Sequence, residues 1–286
     1  MRTLLAVDGS EKARDAAQAL SCLAPIPSLT VLHVLDIPTW TYPPVVPEMS
    51  SGLFATVEQQ RREDGEQLIQ QMRSILPSSV KKVSAHLEKG KAAEVILDTA
   101  AREQSGLIVM GSRGLGPTKE LVLGSVSHNV IVQSHCPVLI IKRPMPGLRR
   151  IVLAIKGTED AEAVVKFMTA RPFLDSVEIV ILTVVLFPLL WPIGTEAADS
   201  VKEKIVEAAR QFVDDVASRL RSIGYRATNA VTVGRPETAI SGWASETGAD
   251  LIIVGTRHRG KVERLLLGSV SHAVLQSAPC SVLVIP

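Results

Sequence analysis

Aromatic side chains are scarce in this 286-residue chain, which has three Trp, two Tyr and five Phe. Single-stranded nucleic acid is commonly held by bases stacked on such rings, and a formal net charge of +2 offers no basic face for a phosphate backbone, so neither DNA nor RNA is an expected partner. Cysteine is scarce too. Cys22, Cys136 and Cys280 form no C-x-x-C pair, and an odd number over this length suits a reducing compartment better than a disulfide framework, so they read as small core residues. Long apolar runs are missing: the longest uncharged one, 179–193, is shorter than the ~20 residues of a membrane span and contains Pro188 and Pro192. No membrane association is expected. The first residues reach Asp8 and Gly9 too early for a secretory signal, which points to the cytoplasm. His33 lies among apolar neighbours with no second ligand at a useful spacing, so it reads as a hydrogen-bonded core histidine and no metal site is expected.

What is present is a duplication. Gly111-Ser-Arg-Gly and Gly124-Ser-Val-Ser-His return 144 residues later as Gly255-Thr-Arg-His and Gly268-Ser-Val-Ser-His, and Cys136-Pro-Val-Leu-Ile-Ile returns as Cys280-Ser-Val-Leu-Val-Ile. A period this long is a repeated domain rather than a solenoid unit. Pro144 and Pro146 with Gly147 mark the seam, giving units 1–143 and 150–286. In each unit short β-branched runs alternate with longer amphipathic stretches, the pattern of an α/β fold with a parallel sheet covered by helices on both faces. Strands are expected at 4–7, 30–35, 83–87, 107–110 and 138–141, and helices at 11–23, 57–76, 92–103 and 125–134, with 202–223 as the second unit's long helix. The last two strands are continuously apolar, as strands buried on both faces must be.

The strongest chemical signal is Gly111-x2-Gly114-x9-Gly124-Ser125, which leaves a strand and ends where a helix begins. Glycines let backbone N–H groups approach an anion, and the helix N-terminus adds unsatisfied donors and a partial positive charge. It is neither a P-loop, lacking the Lys-Ser/Thr pair, nor a Rossmann fingerprint, which follows the first strand. Arg113 and Lys119 are nearby cations, read as solvated. Ser127-His128 and Ser271-His272 are not nucleophile–base pairs, since adjacent helical residues do not face each other, and read as ordinary helix residues.

With Ala6-Val-Asp8-Gly-Ser10 ending the first strand, Leu32-His33-Val34-Leu-Asp36 on the second, Gly90 before the third helix and the closing Pro137-Val-Leu-Ile-Ile, the sequence resembles the universal stress protein family over nearly its whole length, twice. The resemblance implies two tandem doubly wound domains, each a five-stranded parallel sheet of order 3-2-1-4-5, paired through their closing strands as an internal pseudo-dimer, with Cys136 and Cys280 at opposite ends of that pair. It implies that ATP, with magnesium, binds unit 1: the ribose at Asp8, adenine at the backbone of Val34 with Val7 packing on the ring, and phosphates on Gly111, Gly114, Gly124 and Ser125. Asp8 has a plainer reading as a helix N-cap with Glu11 three residues on. The proline-rich stretch 36–47 is a loop, either a lid or a long connection.

Unit 2 departs from the pattern, with Lys156 at the Asp8 position and His258 at that of Gly114. A degenerate domain kept for its fold is expected there, while the apolar stretch 186–193 leaves a nonpolar ligand as the sharper alternative. The resemblance makes the whole a nucleotide-dependent binding module in stress response, with an unknown protein partner and a further homodimer both open. The alternatives are a slow ATP hydrolase, for which no general base or arginine finger is evident, and a scaffold that binds no nucleotide. No catalytic residue is assigned.

Overall fold

A computed structural model describes residues 1–35, 47–114, 123–187, 196–256 and 267–286, with side chains described from residue 56 in the first long helix and from 198 in the second. The loop at 36–46, Lys119, His258 and most of the apolar stretch 186–193 therefore lie outside the described residues. Unit 1 runs β1 (Arg2–Val7), α1 (Glu11–Ala19), β2 (Ser28–Leu35), α2 (Pro47–Ser74), β3 (Val83–Lys89), α3 (Ala92–Arg102), β4 (Leu107–Gly111), α4 (Ser125–Gln133) and β5 (Val138–Ile141). Unit 2 repeats it as β6 (Arg150–Ala154), α5 (Thr158–Thr169), β7 (Glu178–Val185), α6 (Glu196–Ser222), β8 (Arg226–Val233), α7 (Pro236–Glu246), β9 (Leu251–Gly255), α8 (Ser269–Ser277) and β10 (Ser281–Ile285).

The strands form one sheet of order β3-β2-β1-β4-β5-β10-β9-β6-β7-β8. Within each half all pairs are parallel, and the apolar runs of β4, β5 and β10 are buried along their whole length. Residues pointing to one face pack under α1, α2, α5 and α6. Those pointing to the other pack under α3, α4, α7 and α8. Two departures from the sequence reading concern helix starts: α2 opens at Pro47 rather than near residue 57, and α6 at Glu196 rather than 202. Pro47 belongs to the helix because proline fits a first turn, where its missing N–H has no intrahelical partner to lose. The first helix is shorter than expected and closes in a 3-10 turn at Leu20–Cys22.

The halves meet through β5 and β10, the one antiparallel strand pair among the described residues, in the register Val138↔Val284, Leu139↔Leu283 and Ile140↔Val282. Leu139 and Leu283 are equivalent positions of the duplication, so a pseudo-twofold axis passes between them. On one face of the sheet the same axis brings His128 of α4 against His272 of α8, ring centroids 5.9 Å apart and edge-on. On the other, Leu23 bridges Phe173 and the Ala24 N–H donates to the Pro172 carbonyl at 2.9 Å. The register sets Cys136 and Cys280 at opposite ends of the pair, and all three cysteines are free thiols.

Lys142, just past β5, fastens the junction. Its ammonium donates to the carbonyls of Leu275, Gln276 and Ala278 at 3.0, 3.2 and 2.8 Å, capping the C-terminal end of α8 where the helix leaves acceptors unpaired and carries partial negative charge. Burial pulls the ammonium down to about 8, so it remains largely charged at neutral pH. Lys142→Met is expected to destabilise the chain by about 1–3 kcal/mol, the cost of leaving part-buried carbonyls without a donor. Urea unfolding at pH 7 measures it, and an unchanged midpoint would contradict the capping role.

Candidate functional site

The sheet's winding reverses between β1 and β4, and in open α/β sheets the crevice beyond the carboxyl ends of such neighbours is where ligands fit. A cleft of about 770 Å³ opens there. Val7, Asp8, Val34, Gly111, Gly114, Gly124 and Ser125 all line it, over an apolar floor that includes Ala6, Leu32, Ile96 and Met110. The register Ala6↔Met110 accounts for the meeting of Asp8 with the glycine loop, far apart though they are in sequence.

Asp8 follows β1, and its geometry is fixed by Ser10. The Ser10 N–H and hydroxyl both donate to Asp8 Oδ1, at 3.1 and 2.6 Å. Ser10, not Asp8, is the N-cap of α1, its Oγ accepting from the Ala13 N–H at 3.2 Å. Asp8 is thus held by the start of the helix rather than spent on capping it. Its Oδ2 faces Gly114 so closely that a β-carbon on Gly114 would run into it. Any side chain at 114 would displace the carboxylate or be displaced by it.

The glycines divide their work. Gly111 is where α1 crosses β4, and a β-carbon there would lie 2.7 Å from Lys12 Cβ and 2.8 Å from its carbonyl carbon. Its own carbonyl accepts the Ser127 hydroxyl at 3.0 Å. Gly124 is the N-cap of α4, with an ordinary φ of −74°, and its N–H goes to the Ser112 carbonyl at 2.8 Å. No side chain caps α4. The N–H groups of Ser125, Val126 and Ser127 therefore have neither a side-chain cap nor, as a helix's first residues, an intrahelical acceptor, and all three residues line the cleft. This end of the cleft can bind an anion, and the Asp8 end can accept hydrogen bonds from hydroxyls.

His33 is half-buried and hydrogen-bonded as expected, its Nδ1 2.8 Å from the Val7 carbonyl, and it too lines the cleft. Among the described residues no group of three or more His, Cys, Asp or Glu side chains is placed to hold a metal. Ser10 and Ser127 hold the cleft's Asp8 and Gly111 by hydrogen bonds, roles that the sequence reading did not assign. Ser10 was legible as the last residue before a helical stretch, the usual N-cap position. Ser127 was legible from its repetition as Ser271, whose hydroxyl makes the matching bond to the Gly255 carbonyl at 2.6 Å.

Unit 2 keeps this frame and changes its charges. Thr256 N–H donates to Ile285 as Ser112 does to Ile141, at 2.7 and 2.9 Å, and Gly268 caps α8 as Gly124 caps α4. At the Asp8 position stands Lys156, whose backbone N–H donates to Asp160 Oδ2 at 3.0 Å. The other Asp160 oxygen lies 3.0 Å from where a β-carbon on Gly255 would sit. Unit 1 has Lys12 at that place. The Asp8 carboxylate has no counterpart here, and a different carboxylate, Asp160, stands against the strand end that opens the glycine loop.

The chain matches the model of the universal stress protein family twice, over residues 1–142 and 147–286. A universal stress protein of Mycobacterium tuberculosis is 26% identical over 300 residues, covering 98% of this chain and 95% of that protein. One from Thermus aquaticus is 34% identical over 139 residues, covering 49% of this chain and 96% of its own length. Among solved structures, a universal stress protein from Archaeoglobus fulgidus shares the fold along 99% of this chain and 97% of its own, with a TM-score of 0.66 at 23% identity. With both halves matched and the whole length covered by a tandem relative, the chain belongs to the universal stress protein family.

Proposed function

We propose that the chain binds one adenine nucleotide, ATP, in the unit 1 cleft and acts as a nucleotide-dependent binding module whose output is a change in conformation or partner affinity. One observation carries this reading: a carboxylate with one oxygen fixed by Ser10 and the other facing the glycine loop shares a single cleft with the uncapped N-terminus of α4. Hydroxyl acceptor, apolar floor and anion donors are the three kinds of group that ribose, base and phosphate require, with Val34 and Val7 at the base. Magnesium is expected to arrive on the triphosphate rather than on a protein site of its own. Turnover is expected to be slow. Of the carboxylates that line the cleft among the described residues, Asp8 is taken by the ribose hydroxyls in this reading and Asp64 accepts from Gln60 at 3.0 Å, which leaves no carboxylate dedicated to activating water. Mass spectrometry of small molecules released from freshly purified protein tests the reading. It predicts adenine nucleotide from the full chain and little from the Asp8→Ala variant, and a different ligand class in both would overturn it.

A further inference from the structure

The cleft does not end at the ribose position. Past Asp8 it continues over Gly9 into the groove between α1 and α2, where Arg14, Arg61, Asp64, Leu68 and Gln71 line it. Leu68 forms the floor, its methyls 3.7 Å from where a β-carbon on Gly9 would be. Along α2 the neighbouring polar side chains pair one turn apart: Gln59 with Glu63, Gln60 with Asp64, and Arg62 with Glu66. Arg61 breaks the series because Gly65 stands four residues on. That glycine is imposed by packing, since a β-carbon there would lie 2.8 Å from Leu87 and 3.0 Å from His33. Close contact between helix and sheet thus leaves the Arg61 guanidinium at the cleft's lip without a partner among the described residues. Across the groove Arg14 also has no ion-pair or hydrogen-bond partner among the described residues.

Unit 2 supplies the contrast. By the correspondence that sets Asp8 on Lys156, Arg14 falls on Glu162, and Glu162 is bound by Arg219 of α6 through two hydrogen bonds of 2.7 and 3.0 Å. The unit without the ribose-type carboxylate has this groove bridged by an ion pair between its two helices. The unit with the carboxylate has Arg14 and Gln71 at these two positions, with no ion pair between them, and Arg61 lines the same cleft further along α2. Two arginines line this part of the cleft with one carboxylate, Asp64, itself engaged by Gln60, a lining that favours an anionic group, and a guanidinium holds a dianion through paired N–H donors.

We propose that the α1–α2 lip is an anion subsite, and that the ligand class of the unit 1 cleft includes nucleotides phosphorylated on a ribose hydroxyl in addition to the 5′ chain. This rests on the nucleotide reading above. One ribose hydroxyl stays on Asp8 Oδ2 while the phosphate on its neighbour crosses Gly9 to Arg14 and Arg61. The subsite thereby selects among nucleotides of the same base.

Calorimetric titration of the full chain at low ionic strength with AMP, adenosine 3′,5′-bisphosphate and adenosine 2′,5′-bisphosphate tests this, since exposed ion pairs are screened by salt. At least one bisphosphate is expected to bind about tenfold more tightly than AMP, and the Arg14→Ala/Arg61→Ala variant is expected to erase that preference while changing AMP affinity less than about twofold. Both arginines are exposed, so the variant keeps the core intact. Bisphosphates that bind no better than AMP, or a preference that survives the double substitution, would overturn the subsite and leave the nucleotide site standing. Absence of binding by AMP, ATP and both bisphosphates would overturn the two together.

Discussion

Replacing Asp8 with alanine is expected to weaken ATP binding by about 1–3 kcal/mol, roughly five- to 150-fold, because the ribose hydroxyls lose charge-assisted acceptors and no other described carboxylate lines that part of the cleft. Asp8→Asn keeps an oxygen for Ser10 and should fall between alanine and the parent. Gly124→Val is expected to abolish binding through a different cause. A β-carbon at 124 meets only ordinary contacts within the chain, 3.5 Å to Arg113 Cα and 3.6 Å to the Ser112 carbonyl oxygen, so the obstruction is expected to fall on the phosphates, and an unchanged far-UV spectrum and melting temperature check that the variant keeps its fold. Gly111→Ala is not an equivalent probe, since it would force α1 away from β4. Unchanged ATP affinity in both Asp8→Ala and Gly124→Val, measured by calorimetry, would place the nucleotide elsewhere.

Cutting the chain at the seam should have an effect as large on assembly. In the intact protein every residue of β10 is buried and the strand is paired on both sides, by β9 and by β5. A fragment of residues 150–286 would expose it as an apolar edge, which invites pairing with another chain. The pseudo-twofold axis at Leu139 and Leu283 means that a second copy of β10 can occupy the place of β5 in the same antiparallel register, closing a twofold dimer. The fragment is therefore expected to be predominantly dimeric or aggregated at micromolar concentration, by size exclusion with light scattering. A well-folded monomer would contradict the view that the two units complete each other's sheet.

The readable parts of this fold were those in which one physical requirement dominates the residue choice. Strands such as 107–110 and 138–141 are apolar throughout because both their faces are covered, and the repeated Gly-Ser-Val-Ser-His marks an identical helix start in each unit. Both follow from local chemistry. The start of α2 was hidden because Pro47 belongs as well to a first helical turn as to the proline-rich loop before it, and only the tertiary placement of the helix decides. The pairing of β5 with β10 came from the family resemblance and not from the strands themselves, whose composition states only that they are buried. Within the site, Asp8 and the glycines were legible as a pattern, but the division of labour among them was not. That Gly111 serves helix packing depends on the approach of Lys12, and that Gly124 spends its N–H on Ser112 depends on the loop's path. Arg14 and Arg61 were invisible as a pair because nothing in sequence relates a residue early in α1 to one in the middle of α2. His128 and His272 read as ordinary helix residues for the same reason, since their contact exists only across the axis.

The most direct test of the central claim is the stoichiometry of ATP on the intact chain, measured calorimetrically with the parent protein, with Asp8→Ala and with Lys156→Ala. One site per chain is predicted, severely weakened by Asp8→Ala and untouched by Lys156→Ala. Two equivalent sites, or one site that survives the loss of Asp8 and disappears with Lys156, would contradict it.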